Sequence, residues 1–209
     1  MKKIIREADR VIIAGDFWDG WFLTFGEFIE SEWSKLFPLL KEKHTIYIYG
    51  NHDIESACDE RVSLFCDKAE HCYDFELGKN SYHVTHGNRI CGDIARRNPL
   101  LHLYYRILHD KKHKRLNKGF KLFIHFLERV GYLSMGRNVG LNSINKVSNR
   151  NMKEYATNHL KGTYLIAGDS HRPEEDIASH YLNSGFINYG HASYVLVDEA
   201  GPHLFEQDY

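Results

Sequence analysis

Cysteine and proline are scarce in this 209-residue chain, which has four of each. The cysteines show no C-x-x-C spacing, and this argues against a structural zinc site. A chain of this length with 43% hydrophobic residues does not need disulfide cross-links to build a core. We therefore expect free thiols in a reducing compartment.

Long apolar runs and a charge excess are also lacking. No run approaches the ~20 residues of a transmembrane helix, and the N-terminus has no apolar segment of the kind that marks a secretory signal. These absences predict a cytoplasmic protein. The formal net charge is −1, so no nucleic-acid partner is expected. Without repeats or low-complexity linkers, the chain is predicted to form one domain over residues 1–209.

The sequence does contain four short apolar runs rich in β-branched and aromatic residues, which predict strands. The runs cover residues 10–14, 45–49, 81–85 and 162–167. The apolar spacing over residues 25–40 predicts a crossover helix between the first two strands. Residues 194–197 and 203–205 predict a C-terminal hairpin. This pattern is typical of an open α/β sheet, whose strands end along one edge where sites are built.

The turns that follow the four predicted strands are rich in Asp, Asn and His. In chain order they are Gly15-Asp16-Phe17-Trp18-Asp19, Gly50-Asn51-His52-Asp53, His86-Gly87 and Gly168-Asp169-Ser170-His171. Such oxygen and nitrogen donors suit Mn, Fe or Zn. Each motif alone is common in solvated turns. Four of them, each behind a predicted strand, favour a metal site.

The order Gly-Asp-x-x-Asp, Gly-Asn-His-Asp, His-Gly and Gly-x-x-His resembles the calcineurin-like metallophosphoesterase family. Within it, the turn from Gly15 to Trp21, the segment Ser170-His171-Arg172-Pro173-Glu174 and the segment Leu182-Asn183-Ser184-Gly185 are most similar to UDP-2,3-diacylglucosamine pyrophosphatases. The resemblance implies an α/β fold, a four-layer αββα sandwich with two mixed sheets. It also implies hydrolysis of a phosphoester or pyrophosphate bond in a nucleotide- or lipid-linked substrate.

The resemblance implies a metal role for five residues. Asp16 is expected to bridge two metals. One site is expected to be completed by Asn51, His86 and Asp169, and the other to be served by His171. The expected ion is Mn, with Fe, Zn and Mg as alternatives; a carboxylate at Asp169 favours a hard ion.

Catalysis and substrate contact are expected from four further residues. The resemblance implies that His52 acts as general acid or transition-state stabiliser, with Asp53 holding its imidazole in the productive tautomer. Arg172 and His191 are candidate contacts for substrate phosphate, because a guanidinium offers a bidentate fork to phosphate oxygens and both residues lie near the last motif.

The sequence departs from the family pattern in two places, and both concern the metals. The family's Asp-x-His on an earlier strand is absent ahead of the strand that leads to Asp16, so the fold is expected without its first strand. The last motif begins Gly168-Asp169 instead of Gly-His. One site keeps four ligands while the other keeps Asp16 and His171, so an incomplete two-metal site is expected. The alternative function is a non-catalytic binding scaffold, and an upstream strand ending in Asp-x-His is expected to restore activity.

A basic and apolar segment near residues 95–156 is predicted to be a helical insertion. Between Arg96 and Arg137 there are eleven Lys or Arg and two acidic residues, and residues 100–108 and 120–133 have helix-length apolar stretches. Two interpretations stay open. The insertion is either a plain cap with a solvated charged face, or a lid that meets acyl chains or an anionic membrane surface. The expected partner is a phosphorylated small molecule or a lipid-linked substrate.

Overall fold

The computed structural model describes residues 1–20, 22–91, 142–188 and 190–209, together with the helical positions Gly119, Leu122, Phe123 and Phe126. The helix predicted at residues 100–108 and most of the one at 120–133 lie outside these residues. So does the predicted lid role of the insertion. Among the described helices, none combines the length and apolarity needed to cross a bilayer.

The N-terminal part of the chain forms a parallel three-stranded sheet with short helices against it. The helices are α1 (Lys2–Glu7), α2 (Phe25–Ile29) and α3 (Phe37–Glu42), with 3-10 turns at Glu32–Leu36, Glu55–Ala57 and Glu60–Leu64. The strands are β1 (Ile12–Ile13), β2 (Ile46–Ile48) and β3 (Lys68–Glu70). Strand β2 lies in the middle and pairs in parallel with both neighbours, as expected for strands joined by crossover helices.

The single crossover helix predicted over residues 25–40 is wrong, because the chain forms α2, a 3-10 turn and α3 there. The Ser31 hydroxyl donates to the carbonyl oxygen of Phe28 (2.6 Å) and accepts from the backbone N–H of Trp33 (3.3 Å). These local bonds replace those of a continuous helix. Pro38 has no N–H to donate, and it lies in the first turn of α3, where none is needed.

The middle of the chain forms a mixed five-stranded sheet in the order β4-β5-β6-β8-β7. Its strands are β4 (Cys72–Leu77), β5 (Asn80–Thr85), β6 (Tyr164–Ala167), β7 (Glu174–Asp176) and β8 (Tyr181–Asn183). The helices between β5 and β6 include α4 (Asn88–Cys91), α5 (Asn142–Tyr155) and a π-helix (Ala156–Leu160). Strands β5, β6 and β8 run parallel, and the two edge strands run antiparallel to their neighbours.

The end of the chain forms a third, antiparallel sheet. It consists of β9 (Ile187–Asn188), β10 (His191–Asp198) and β11 (Gly201–Asp208). The predicted C-terminal hairpin is confirmed, and it is longer than predicted, since β10 and β11 pair over all eight residues of each strand.

The alternation of side chains along the strands divides the molecule into layers. In β1, Ile13 packs with the N-terminal helices, whereas Ile12 packs toward the five-stranded sheet. In β6, Leu165 packs under α5 beside Met152, whereas Ile166 faces the other strand layer. The arrangement is therefore helices, strands, strands, helices. This confirms the four-layer αββα sandwich, but the two mixed sheets that were predicted are wrong, because among the described strands only the five-stranded sheet is mixed and the other strand layer consists of a parallel and an antiparallel sheet.

The strand layer that faces the five-stranded sheet is divided into two halves. Ile12 of β1 and Val195 of β10 pack against the same apolar side of the five-stranded sheet, yet they belong to separate three-stranded sheets. A cavity of about 2230 Å³ lies between them and has Val84 and Ile166 among its lining residues. In the described part of the chain, β1 pairs with β2 alone, so its other edge faces this cavity.

Candidate metal centre

The turns after β1, β2, β5 and β6 meet at one edge of the strand layers, as the sequence predicts. His86 lies at their centre. Its Nε2 atom is 2.8 Å from Oδ1 of Asn51, 3.3 Å from Oδ2 of Asp16 and 3.3 Å from Oδ1 of Asp169. The structure thus brings together the four residues that were predicted to form one metal site.

Two glycines let the turns approach so closely. A Cβ atom on Gly15 would lie 2.6 Å from Cγ of His86, and Gly15 has a φ of +89°, which disfavours any other residue. A Cβ atom on Gly50 would lie 2.6 Å from the backbone nitrogen of Asp16 and 2.8 Å from Oδ1 of Asp53. Gly15 and Gly50, the first residues of the first two motifs, are therefore needed for steric reasons at the site.

The charge of His86 is set by its carboxylate neighbours. Burial alone would lower the pKa of His86, but Asp16 and Asp169 raise it well above the ordinary value. Burial alone would also raise the pKa of Asp16, but His86 and His52 bring it below the ordinary value. Nδ1 of His86 lies 2.9 Å from the carbonyl oxygen of Ala14 and donates to it, which directs Nε2 at the acids. The imidazolium offsets their charge.

The donor set is chemically suitable for one divalent ion. Two carboxylates, an amide oxygen and an imidazole suit Mn, Fe or Zn once the imidazole is deprotonated. Within the described ranges, however, no group of three or more His, Cys, Asp or Glu side chains is arranged to hold a metal. Nε2 of His86 instead lies in hydrogen-bond contact with Asn51. To bind an ion, His86 would have to lose the proton on Nε2, and the ion would then take the place of that proton between the four side chains.

His52, the predicted general acid, lies at the same edge and is oriented by Asp19. Its Nδ1 is 3.2 Å from Oδ1 of Asp19, and its backbone N–H donates to Oδ1 of Asp16 (2.9 Å). Burial alone would lower the pKa of His52, but Asp16 and Asp19 raise it to about 9. His52 is also one of the residues that line the large cavity. His52 is therefore a protonated donor at neutral pH in this structure.

Asp53 has a different position from the one expected. Its carboxylate is fully buried and accepts three backbone N–H bonds, from Gly50 (2.6 Å), Asp16 (3.1 Å) and Phe17 (2.7 Å). Burial and the nearby Asp16 raise its pKa. Asp53 thus connects the first two motif turns, and the contact with the His52 ring that was expected of Asp53 is made by Asp19.

The residues expected around the second metal and the substrate are divided between two places. His171 and Arg172 line the same cavity as Asp16 and His52. The His171 side chain reaches solvent, but the protein atoms around its ring lower its pKa. In the portion of the chain described here, no third side chain joins Asp16 and His171 as a metal ligand.

His191, which was expected to contact substrate phosphate, is buried and is not among the residues that line the cavity. Its side chain is enclosed between Phe186 and the acids of β11, with Nε2 at 3.4 Å from Glu206 and Nδ1 at 3.4 Å from Asp208. Its Cα partner in the hairpin is Asp208. The pairing register, not proximity to the last motif, decides where this ring lies.

Two residues at this edge were not singled out from the sequence. Asp19 is the second Asp of Gly-Asp-x-x-Asp, so the motif itself contained the pattern that points to it. Asn149 lies in α5 and bonds to the turn that carries Asp169, with Nδ2 at 3.2 Å from the carbonyl oxygen of Arg172. No local pattern marks this asparagine, because its role depends on how a helix packs on a distant turn.

Comparison with known proteins agrees with the geometry. Residues 1–173 match the family model of calcineurin-like phosphoesterases, and this range includes all four motif turns. No curated protein sequence matches the chain at a significant level. Since the family match covers most of the chain, and the side chains of its motifs meet at one edge of an αββα sandwich, the chain belongs to the calcineurin-like phosphoesterase family.

Proposed function

We propose that this protein is a divalent-metal-dependent hydrolase of phosphoester or pyrophosphate bonds. The family supports a metal-dependent phosphoesterase in general. The observation that carries the proposal is the convergence of Asp16, Asn51 and Asp169 on Nε2 of His86. Three buried or half-buried oxygen donors around one imidazole nitrogen form a donor set that a divalent ion can share.

We assign one ion to these four side chains, with Mn²⁺ as the expected ion because carboxylate and amide oxygens favour hard cations. A bound divalent ion polarises a phosphoryl oxygen and activates water as a nucleophile. Asp16 and His171 supply two donors for a second ion, which is too few for a stable site. We therefore propose weak binding of a second metal and a low turnover rate.

The protein's own side chains supply the remaining steps. His52 lines the cavity and is oriented through Nδ1 by Asp19, and we propose that it donates a proton to the leaving oxygen of the substrate. Arg172 lines the same cavity and is proposed to bind a substrate phosphate. Asp53 holds the two turns in register through its three backbone contacts.

For the substrate, we propose a phosphorylated small molecule or a lipid-linked pyrophosphate. The support is the resemblance of the Gly15 and Ser170 motifs to UDP-2,3-diacylglucosamine pyrophosphatases, together with the basic segment between Arg96 and Arg137. Such a segment is suited to peripheral contact with an anionic membrane surface from the cytoplasmic side. Nothing in the charge balance favours a nucleic-acid substrate.

A non-catalytic binding scaffold is the second candidate function, favoured by the two-donor second site. Manganese-dependent hydrolysis of bis(p-nitrophenyl) phosphate separates the two. A hydrolase should show a rate that falls at least a hundredfold in Asn51→Ala and in His52→Gln. His203→Gln, which changes an exposed histidine in β11, is the matched control and should keep the rate. A manganese-independent rate, or one equal in all four proteins, would favour the scaffold.

A further inference from the structure

The side chain of Asn149 uses all its hydrogen-bonding groups, and two of its bonds are to the turn between β6 and β7. It is 1% exposed. Its Oδ1 accepts from the hydroxyls of Ser170 (2.5 Å) and Tyr181 (3.0 Å). Its Nδ2 donates to the carbonyl oxygen of Arg172 (3.2 Å) and to Oε2 of Glu174 (2.6 Å). A buried amide satisfied in this way is held in one orientation.

Two of the hydrogen bonds of Asn149 are made to the residues directly before and directly after His171. Asn149 bonds to Ser170 before it and to Arg172 after it, and the Ser170 hydroxyl also accepts from the backbone N–H of Arg172 (3.3 Å). His171 has a φ of +52°, a conformation that a residue with a side chain keeps only when its surroundings hold it. The hydrogen bonds of Asn149 to Ser170 and Arg172 hold His171 in this conformation.

The start of the same turn is fixed from the other direction. The backbone N–H groups of Gly168 and Asp169 both donate to the carbonyl oxygen of His86, at 3.0 and 2.9 Å. The turn is thus attached at its beginning to His86, the residue after β5, and at its end to helix α5.

One turn further along α5, a second contact strengthens this attachment. Nζ of Lys153 lies 2.7 Å from Oε1 of Glu174 and 3.3 Å from Oδ2 of Asp176 in β7. Asn149 and Lys153 are four residues apart and therefore share one face of the helix. That face contacts the turn and the strand that follows it.

We propose that Asn149 is a positioning residue, which holds the turn of residues 168–172 so that Asp169 reaches His86 and so that His171 and Arg172 face the cavity. Its helix lies within the segment predicted to be an insertion, so this helix is part of the site and not a detachable cover. The proposal rests on the proposed function for its effect on metal binding and turnover. Its effect on the turn itself does not depend on that function.

The test compares Asn149→Ala with Ala156→Gly, which weakens the same helical region at a buried position without a bond to the turn. At a temperature where both are folded, Asn149→Ala should bind Mn²⁺ at least tenfold more weakly and lose at least tenfold in kcat. Ala156→Gly should match the wild type in both. Asn149→Asp keeps an acceptor for Ser170 but places a second carboxylate against Glu174 where Nδ2 had donated, so it should lose at least as much as Asn149→Ala.

Hydrogen exchange of the amides of residues 168–172 tests the positioning role of Asn149 without a measurement of enzyme activity. These amides should exchange faster in Asn149→Ala than in Ala156→Gly when the two variants have equal global stability. Equal exchange would overturn the positioning role, and so would Mn²⁺ affinity and kcat that change alike in both variants. A third outcome separates the two proposals. If these amides exchange faster in Asn149→Ala, but the wild type neither binds Mn²⁺ nor hydrolyses the phosphodiester, the positioning role is supported and the proposed function is refuted.

Discussion

Nε2 of His86 lies 2.8 Å from Oδ1 of Asn51, so the nitrogen that the proposed metal needs is engaged in a hydrogen bond in this structure. Burial alone would lower the pKa of His86, but Asp16 and Asp169 raise it well above its ordinary value and so favour the protonated ring. A proton and a divalent ion therefore compete for the same atom. The competition links metal affinity to pH.

Replacing Gly15 with alanine should disrupt the centre. The added methyl would overlap the His86 ring and Gly15 has a φ of +89°, so we expect a loss of about 2–4 kcal/mol in the free energy of unfolding and no detectable metal binding. Gly162→Ala is the matched control. It has a similar φ of +92° but open space around its Cβ, and should cost about 1 kcal/mol with metal binding intact. Equal effects of the two substitutions in denaturant unfolding would show that overlap with His86 does not matter.

The contact between Asp19 and His52 predicts coupled effects on turnover. Asp19→Asn and His52→Gln should each lower kcat, by roughly 10²-fold for a lost general acid, while Mn²⁺ affinity changes little. The double variant should be no slower than His52→Gln, because Asp19 acts through the ring that it orients. Independent, multiplying losses in kcat would mean that Asp19 has a role apart from His52.

The thiol of Cys66 should resist ionisation. Burial raises its pKa to about 11, so the folded protein disfavours the thiolate. The resulting contribution to stability is fully present below the unfolded thiol pKa of about 8.5, and it is lost as pH rises through about 11. Labelling by iodoacetamide at pH 8, mapped by mass spectrometry, should therefore reach the exposed Cys72 well before Cys66. Equal labelling rates in the native protein would contradict the burial of Cys66.

A strand added ahead of Met1 should fill the gap between β1 and β10. Each apolar side chain that it buries against Val84 and Ile166 should add about 1.5–3 kcal/mol to the free energy of unfolding. A strand that ends in Asp-x-His should also add ligands for a second ion, whereas the same strand ending in Ala-x-Ala should add stability alone. Metal analysis and thermal unfolding of both extended chains test this. If neither differs from the chain of 209 residues, the gap does not accept a strand.

The strands and the converging turns could be predicted from the sequence because both are local. Successive side chains of a strand point to opposite faces of the sheet, so a strand that is apolar throughout is buried on both faces. Polar residues directly after such a strand must lie at the sheet edge. The break in the first crossover was missed because Ser31 and Pro38 act within an otherwise helical pattern. The position of His191 depends on hairpin register and that of Asn149 on helix packing, and neither is encoded by neighbouring residues.

Calorimetric titration with Mn²⁺ tests the central claim, that Asp16, Asn51, His86 and Asp169 hold one ion. The wild type should bind one ion per chain with release of a proton, and its apparent affinity should rise with pH because fewer His86 rings are protonated. Asn51→Ala and Asp169→Ala should each weaken binding at least tenfold, and His203→Gln should leave it unchanged. Binding that is independent of pH, or that persists unchanged in both site variants, would contradict the assignment of these four side chains to the metal.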